Sequence, residues 1–251
     1  MDWALLILIT FFAASVQSAT GFGFGLIAVS AFLILLNSAA AIQLVIIITL
    51  ATSCIHWFKL KHDVPANLLK WLSLGCLAGF PLGVFIYLEL NLDILKICIA
   101  VLIILISLQN AWHLYQQTFA QNSNTTPSHK TKFNNKALVG VGIASGAMAS
   151  SLAMPGPAVM LYLSRTSLSK DQIRGTILTF FIFSYGGALL LQAGLIGISL
   201  ETWTTAGLLI PPALIGVGAG QLISHKINQQ IFKALVLAIL MLTGLFMLLN
   251  L

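Results

Sequence analysis

Two stretches carry residue types that could bind an ion without using a charged side chain. The first is Thr20-Gly21-Phe22-Gly23-Phe24-Gly25, inside an apolar segment running from about Trp3 to Leu36. The second is Met154-Pro155-Gly156-Pro157, inside an apolar segment from about Lys136 to Ser164. Alternate glycines are poor helix material, each costing about 1 kcal/mol against alanine. In the first segment this predicts one half-helix up to about Ser18, an unwound turn, and a second half-helix from about Leu26. Pro157 suits the first position of a half-helix, where its missing N–H costs nothing. A half-helix N-terminus points unsatisfied amides and partial positive charge at the break, and that suits an anion. Inside lipid, backbone freed in this way must find partners in protein or in a water-filled cavity.

The candidate substrate-binding residues follow from this geometry. Gln17, Thr20, Gly21, Gly23 and Gly25 lie at the first break, and Ser151, Pro155, Gly156 and Pro157 at the second. A glycine at such a turn admits close approach of a ligand and supplies φ > 0. Thr49 and Ser53 on the second apolar segment, and Thr176 and Thr179 on the sixth, are hydroxyls able to complete the site. Arg165 and Arg174 flank a short loop near the second break and are entrance candidates. Each feature also has a structural reading: kinks relieve packing, Ser and Thr back-bond to their own helix, and interfacial arginines snorkel.

Other chemistries lack support. No convincing catalytic pair stands out, which weighs against an intramembrane enzyme. Glu89, Asp93 and Glu201 fall near segment ends, away from the mid-membrane place of a proton relay. His-Glu-x-x-His and Cys-x-x-Cys are absent, and Cys54, Cys76 and Cys98 read as packing residues, so no metal site is expected. The glycine stretch has no following Gly-Lys-Ser/Thr, so it is not a nucleotide loop.

The elements that position these residues are membrane segments. The 251 residues are 59% hydrophobic and 7% charged, against about 25% charged in soluble domains. Net charge is +6, but the basic residues sit in short loops, which is an orientation signal and no sign of nucleic acid. Met1-Asp2-Trp3 has no basic n-region, so the first segment reads as retained. Further segments span about Ala39–Phe58, Leu68–Leu88, Ile94–Leu114, Ile173–Gly197, Trp203–Ile223 and Ile231–Leu251. Their long apolar runs match the roughly 20 residues a transmembrane helix needs.

The chain repeats internally. A shift of 137 carries Gly79, Gly83, Ile86, Asn91, Ile94 and Lys96 onto Gly216, Gly220, Ile223, Asn228, Ile231 and Lys233. A shift of 131 carries Ala13, Gly25, Ser38 and Ile42 onto Ala144, Gly156, Ser169 and Ile173, which pairs the two breaks. Broken helices at matching repeat positions point to a transporter site. Gly75, Gly79 and Gly83, with Gly216 and Gly220, read as helix-packing stripes. If the first and fifth segments are hairpins, most basic residues reach one side and the repeats are inverted. If all eight segments cross, the basic residues divide evenly. Both topologies stay open at this point.

The chain resembles the sulfite exporter TauE/SafE family. The resemblance rests on a four-segment unit used twice, opening with Gly21-Phe22-Gly23-Phe24-Gly25 and with Met154-Pro155-Gly156-Pro157-Ala158. Polar corners follow at Asn37-Ser38-Ala39 and Ser167-Leu168-Ser169-Lys170-Asp171. The second break has Met154-Pro155 where the family commonly shows glycine, and the usual Gly-Thr-Ser survives only as Gly175-Thr176. The resemblance implies an inner-membrane transporter of small sulfur-containing or organic anions, such as sulfite, sulfonates or sulfoacetate.

The expectation is an all-α polytopic membrane protein: a first transmembrane repeat at 1–115, a polar linker at 116–135 and a second repeat at 136–251. Each repeat opens with a broken helix, re-entrant in the inverted arrangement. The expected function is export or permeation of a small anion held between two half-helix N-termini, with no cofactor, in the plasma (inner) membrane. The anion and the lipid bilayer are the expected partners, and a homodimer is the assembly to consider. The alternatives are an intramembrane enzyme and a non-transporting membrane assembly protein.

Overall fold

The computed structural model describes residues 2–59, 64–119, 133–163, 166, 168–224 and, in part, 238–249. Among these residues there are helices and connections but no strand. The helices are α1 (Trp3–Thr20), α2 (Phe24–Leu36), α3 (Ala40–Lys59), α4 (Ala66–Glu89) and α5 (Leu92–Phe119). Then come α6 (Asn135–Leu152), α7 (Gly156–Leu163), α8 (Lys170–Leu191), continued by a π turn at Gln192–Ile196, and α9 (Leu200–Ser224). Six of them, α1, α3, α4, α5, α8 with its π turn, and α9, are long and apolar enough to cross a membrane. Their exposed faces carry Leu82, Phe85, Leu105, Leu208 and Ile215, side chains suited to lipid.

Local chemistry explains the boundaries. The α1 helix ends because Gly21 adopts φ +88 and its N–H closes on Gln17 O at 2.7 Å. Gly23, at φ +113, then starts α2. Both angles lie in the left-handed region that glycine enters freely. The α2 helix ends at Asn37, also left-handed at φ 45, and Lys96 Nζ donates to Asn37 Oδ1 at 2.6 Å. That places a cation at the negative end of the helix dipole. Ser169 and Gln172 form a capping box at the start of α8.

The long-range packing is crosswise. The α4 helix runs along α6 and α1 along α9, while α3 packs on both α8 and α9. The glycine stripes make this possible. A methyl group added at Gly75, Gly79 or Gly83 would fall 2.2, 2.1 and 2.2 Å from the carbonyl oxygens of Val139, Ile143 and Ala147 on α6. At Gly216 and Gly220 it would fall 2.3 and 2.2 Å from those of Phe11 and Ser15 on α1. Backbones therefore touch directly, as small-residue interfaces in membranes allow. The expected packing role of these glycines is what the structure has. Of the last expected segment, Gly244 lies against Ile104 of α5.

Candidate functional site

The two breaks meet. Phe22, Gly23, Phe24, Gly25 and Leu26 from the first, and Met154, Gly156 and Pro157 from the second, line one small cavity. Phe181 and Tyr185 of α8 complete it. Gly25 faces the Ala153 carbonyl so closely that a Cβ there would lie 2.5 Å from the oxygen. Gly156 faces Phe181, whose Cζ would lie 3.0 Å from an added Cβ, with Phe22 beyond at 3.6 Å. The first turn of α2 leaves the amides of Phe24, Gly25 and Leu26 without intrahelical acceptors. Among the described residues no charged side chain lines the space, so its polarity comes from backbone and from the Tyr185 hydroxyl. The enclosed volume is about 10 Å3, which suits at most one water. This is a closed arrangement.

Positive φ falls at Gly21 and Gly23 in the first break and at Ala153, φ 54, in the second. Gly25 and Gly156 are instead ordinary helical residues, required for close approach and not for φ. Expecting φ > 0 at Gly25 and Gly156 was incorrect: the left-handed residues stand just before them, at Gly21 and Gly23 in the first break and at Ala153 in the second. The second break is turned by an alanine, and two hydrogen bonds hold it. Tyr185 Oη donates to Ala153 O at 2.9 Å, and Ser145 Oγ donates to Pro155 O at 2.5 Å.

The remaining sequence candidates that the structure describes fall outside the cavity lining. Thr20 Oγ1 is sewn into the first turn, 2.9 Å from Val16 O and 2.5 Å from Phe22 O. A Cβ added at Gly21 would lie 3.2 Å from the Arg174 side chain. Ser151, Thr176 and Thr179 back-bond to Ala147, Gln172 and Gly175 at 2.6, 2.7 and 2.8 Å. Gln17, Thr49 and Ser53 are buried, and Gln17 Oε1, Thr49 Oγ1 and Ser53 Oγ make no hydrogen bond of good geometry among the described residues. Thr49 lies beside the Tyr185 hydroxyl. Arg165 lies outside the described residues. Arg174 donates from its guanidinium to Ser18 O, so it serves the C-terminal end of α1, where a cation is favoured.

The ends of α1 and α6 are held in parallel ways. Ser18 Oγ donates to Val217 O on α9 at 2.7 Å, and Ser150 Oγ donates to Phe80 O on α4 at 2.9 Å. The Ser18 carbonyl accepts from Arg174, and the Ser150 carbonyl accepts from Gln192 Nε2 at 2.8 Å. Gln192 is fully buried, opens the π turn of α8, and keeps Oε1 without a hydrogen-bond partner. Sequence reasoning missed Ser145, Phe181, Tyr185 and Gln192. Tyr185 carried one available signal: a tyrosine in mid-span must find a partner for its hydroxyl.

A profile of the family described as sulfite exporter TauE/SafE matches residues 6–247. No curated protein and no solved structure matches the chain.

Proposed function

The chain belongs to the sulfite exporter TauE/SafE family, and from that premise we propose that it is a membrane exporter or permease of a small anion. Sulfite, a sulfonate or a related organic anion is the substrate class. The anion is held between the N-termini of α2 and α7, where amides and partial positive charge converge. The observation that carries this reading is the convergence of both breaks on one cavity that no charged side chain lines among the described residues. Thr49 and Ser53 are reserve hydroxyls outside the lining, and Gln17, Thr20, Gly21, Ser151, Pro155, Thr176 and Thr179 brace the helices and turns around it. The protein works in the plasma (inner) membrane and needs neither a catalytic residue nor a cofactor.

Topology belongs to the same proposal. Each broken segment is a hairpin that enters and leaves on one side, and the two repeats are inverted. Two observations support this. A Cβ at Gly23 would lie 3.4 Å from Val16 Cγ1, so the chain doubles back on α1. The matched bonds of Ser18 and Ser150 tie α1 to α9 and α6 to α4 in the same manner.

A thermal-shift panel of sulfite, thiosulfate, sulfonates and carboxylates on purified protein tests the reading, followed by flux in proteoliposomes. A ligand at 100 times its Kd stabilises by about 2.7 kcal/mol, a shift of about 5 °C or more at this chain length. If no anion shifts the transition and flux stays at that of empty vesicles, the reading fails.

A further inference from the structure

Resting on that reading, we infer that Tyr185 is the side-chain donor of the anion site, and that the anion displaces the Ala153 carbonyl from it. Tyr185 is the one cavity-lining residue whose side chain bears a hydroxyl, and it is 1% exposed. Its hydroxyl stands between the breaks, donating to Ala153 O at 2.9 Å and lying 3.3 Å from where a Gly25 Cβ would be. Its ring is fixed edge-on against Phe181, centroids 5.4 Å apart. Thr49 is fully buried, lies beside the Tyr185 oxygen, and makes no well-formed hydrogen bond of its own.

The Ala153 carbonyl thus occupies an anion's place. It is a partial negative charge, pressed against Gly25 in the first turn of α2, with a hydroxyl donating to it. The cavity has room for about one water, so a three-oxygen anion enters only as this carbonyl moves. An entering anion accepts the Tyr185 hydrogen bond in place of Ala153 O, and Thr49, beside it, holds the Tyr185 hydroxyl in place. The second break, turned on a left-handed alanine, then loses its latch and moves off the first. Binding and opening become one event.

The test measures sulfite binding to the purified full-length protein, handled without oxygen, together with its unliganded thermal transition. For Tyr185→Phe the expected result is sulfite binding about ten- to hundredfold weaker, the loss of one hydrogen bond to a charged group. Thr49→Val weakens it about three- to tenfold. Ser184→Ala, one residue from Tyr185 and bonded only to Phe181 O at 3.4 Å, leaves it unchanged. A Tyr185→Phe protein that melts earlier but binds sulfite like wild type overturns the inference and leaves Tyr185 a structural residue. Should that variant not purify, fluorotyrosine is placed in the wild-type chain, with Tyr87, Tyr115 and Tyr162 assigned by replacement with Phe. The Tyr185 resonance must then move at saturating sulfite, and a fixed resonance overturns the inference. Failure of the wild type itself to bind sulfite is a different result, and it removes the transport reading on which this one rests.

Discussion

Gly25→Ala places a single methyl group between the two breaks. The added carbon would sit 2.5 Å from Ala153 O, 3.3 Å from Tyr185 Oη and 3.5 Å from Met154 Cγ. Carbon–oxygen contacts of this kind settle near 3.3 Å, so the Ala153 carbonyl must retreat by about 0.8 Å. It is backbone, held by Tyr185, and cannot swing aside as a side-chain tip would. Overpacking of this size costs about 1–3 kcal/mol, which lowers the population of the closed arrangement roughly five- to 150-fold. Gly156→Ala meets only the Phe181 ring tip, at 3.0 Å, and the ring can yield by a few tenths of an ångström. The expected order of sulfite flux in proteoliposomes is wild type, then Gly156→Ala within about threefold, then Gly25→Ala at least about tenfold down. Gly25→Val and Gly156→Val each abolish transport while the protein still inserts and purifies as a single species. Gly79→Val lies elsewhere, with Ile143 O 2.1 Å from its Cβ, and lowers expression or stability by parting α4 from α6. Thermal transitions measured beside flux separate the two kinds of loss. Wild-type flux in Gly25→Ala, or a larger loss in Gly156→Ala than in Gly25→Ala, refutes this reasoning.

Two further expectations concern the frame around the site. Ser18→Ala and Ser150→Ala each remove one hydrogen bond across the crosswise interfaces, about 1 kcal/mol apiece. Each should lower the melting transition by about 2–4 °C, and clearly unequal shifts would argue against equivalent roles for α1 and α6. Single cysteines at Lys61, Lys132, Arg165 and Lys226, all outside the described residues, should react only from the cytoplasmic side. Labelling of Lys132 and Arg165 from opposite sides leaves eight plain crossings and ends the hairpin proposal.

The backbone plan was legible because its causes are local. Gly21 and Gly23 announce a turn that other residues adopt with difficulty, and the observed helix ends fall within two residues of the expected ones. The second break was located from Pro155-Gly156-Pro157, yet its left-handed residue is Ala153, which no propensity singles out. The hydroxyls of Thr176 and Thr179 were offered as ligands, but local geometry claims both for their own helix. Arg174 was legible as a cation near a break, though not as the partner of the other break. That pairing brings α8 to α1 across 156 positions. Tyr185 and Phe181 escaped for the same reason: the close approach of α8 to both breaks is a tertiary fact.

The crosswise pairing has a consequence for how the chain is made. Ser15 of α1 donates to Gly216 O on α9, 201 positions later, and the glycine face of α4 has its partner only once α6 exists. A nascent chain entering the membrane helix by helix must therefore hold α1 unmated until nearly all of the polypeptide has been inserted. Its buried serines and close-packing face are exposed to lipid or to the insertion machinery for that whole interval. Contacts so distant in sequence form slowly, so assembly of the anion cavity is a late step of biogenesis. A chain stopped before α9 would leave its first helix in the bilayer with no counterpart, in a form suited to recognition by quality-control proteases.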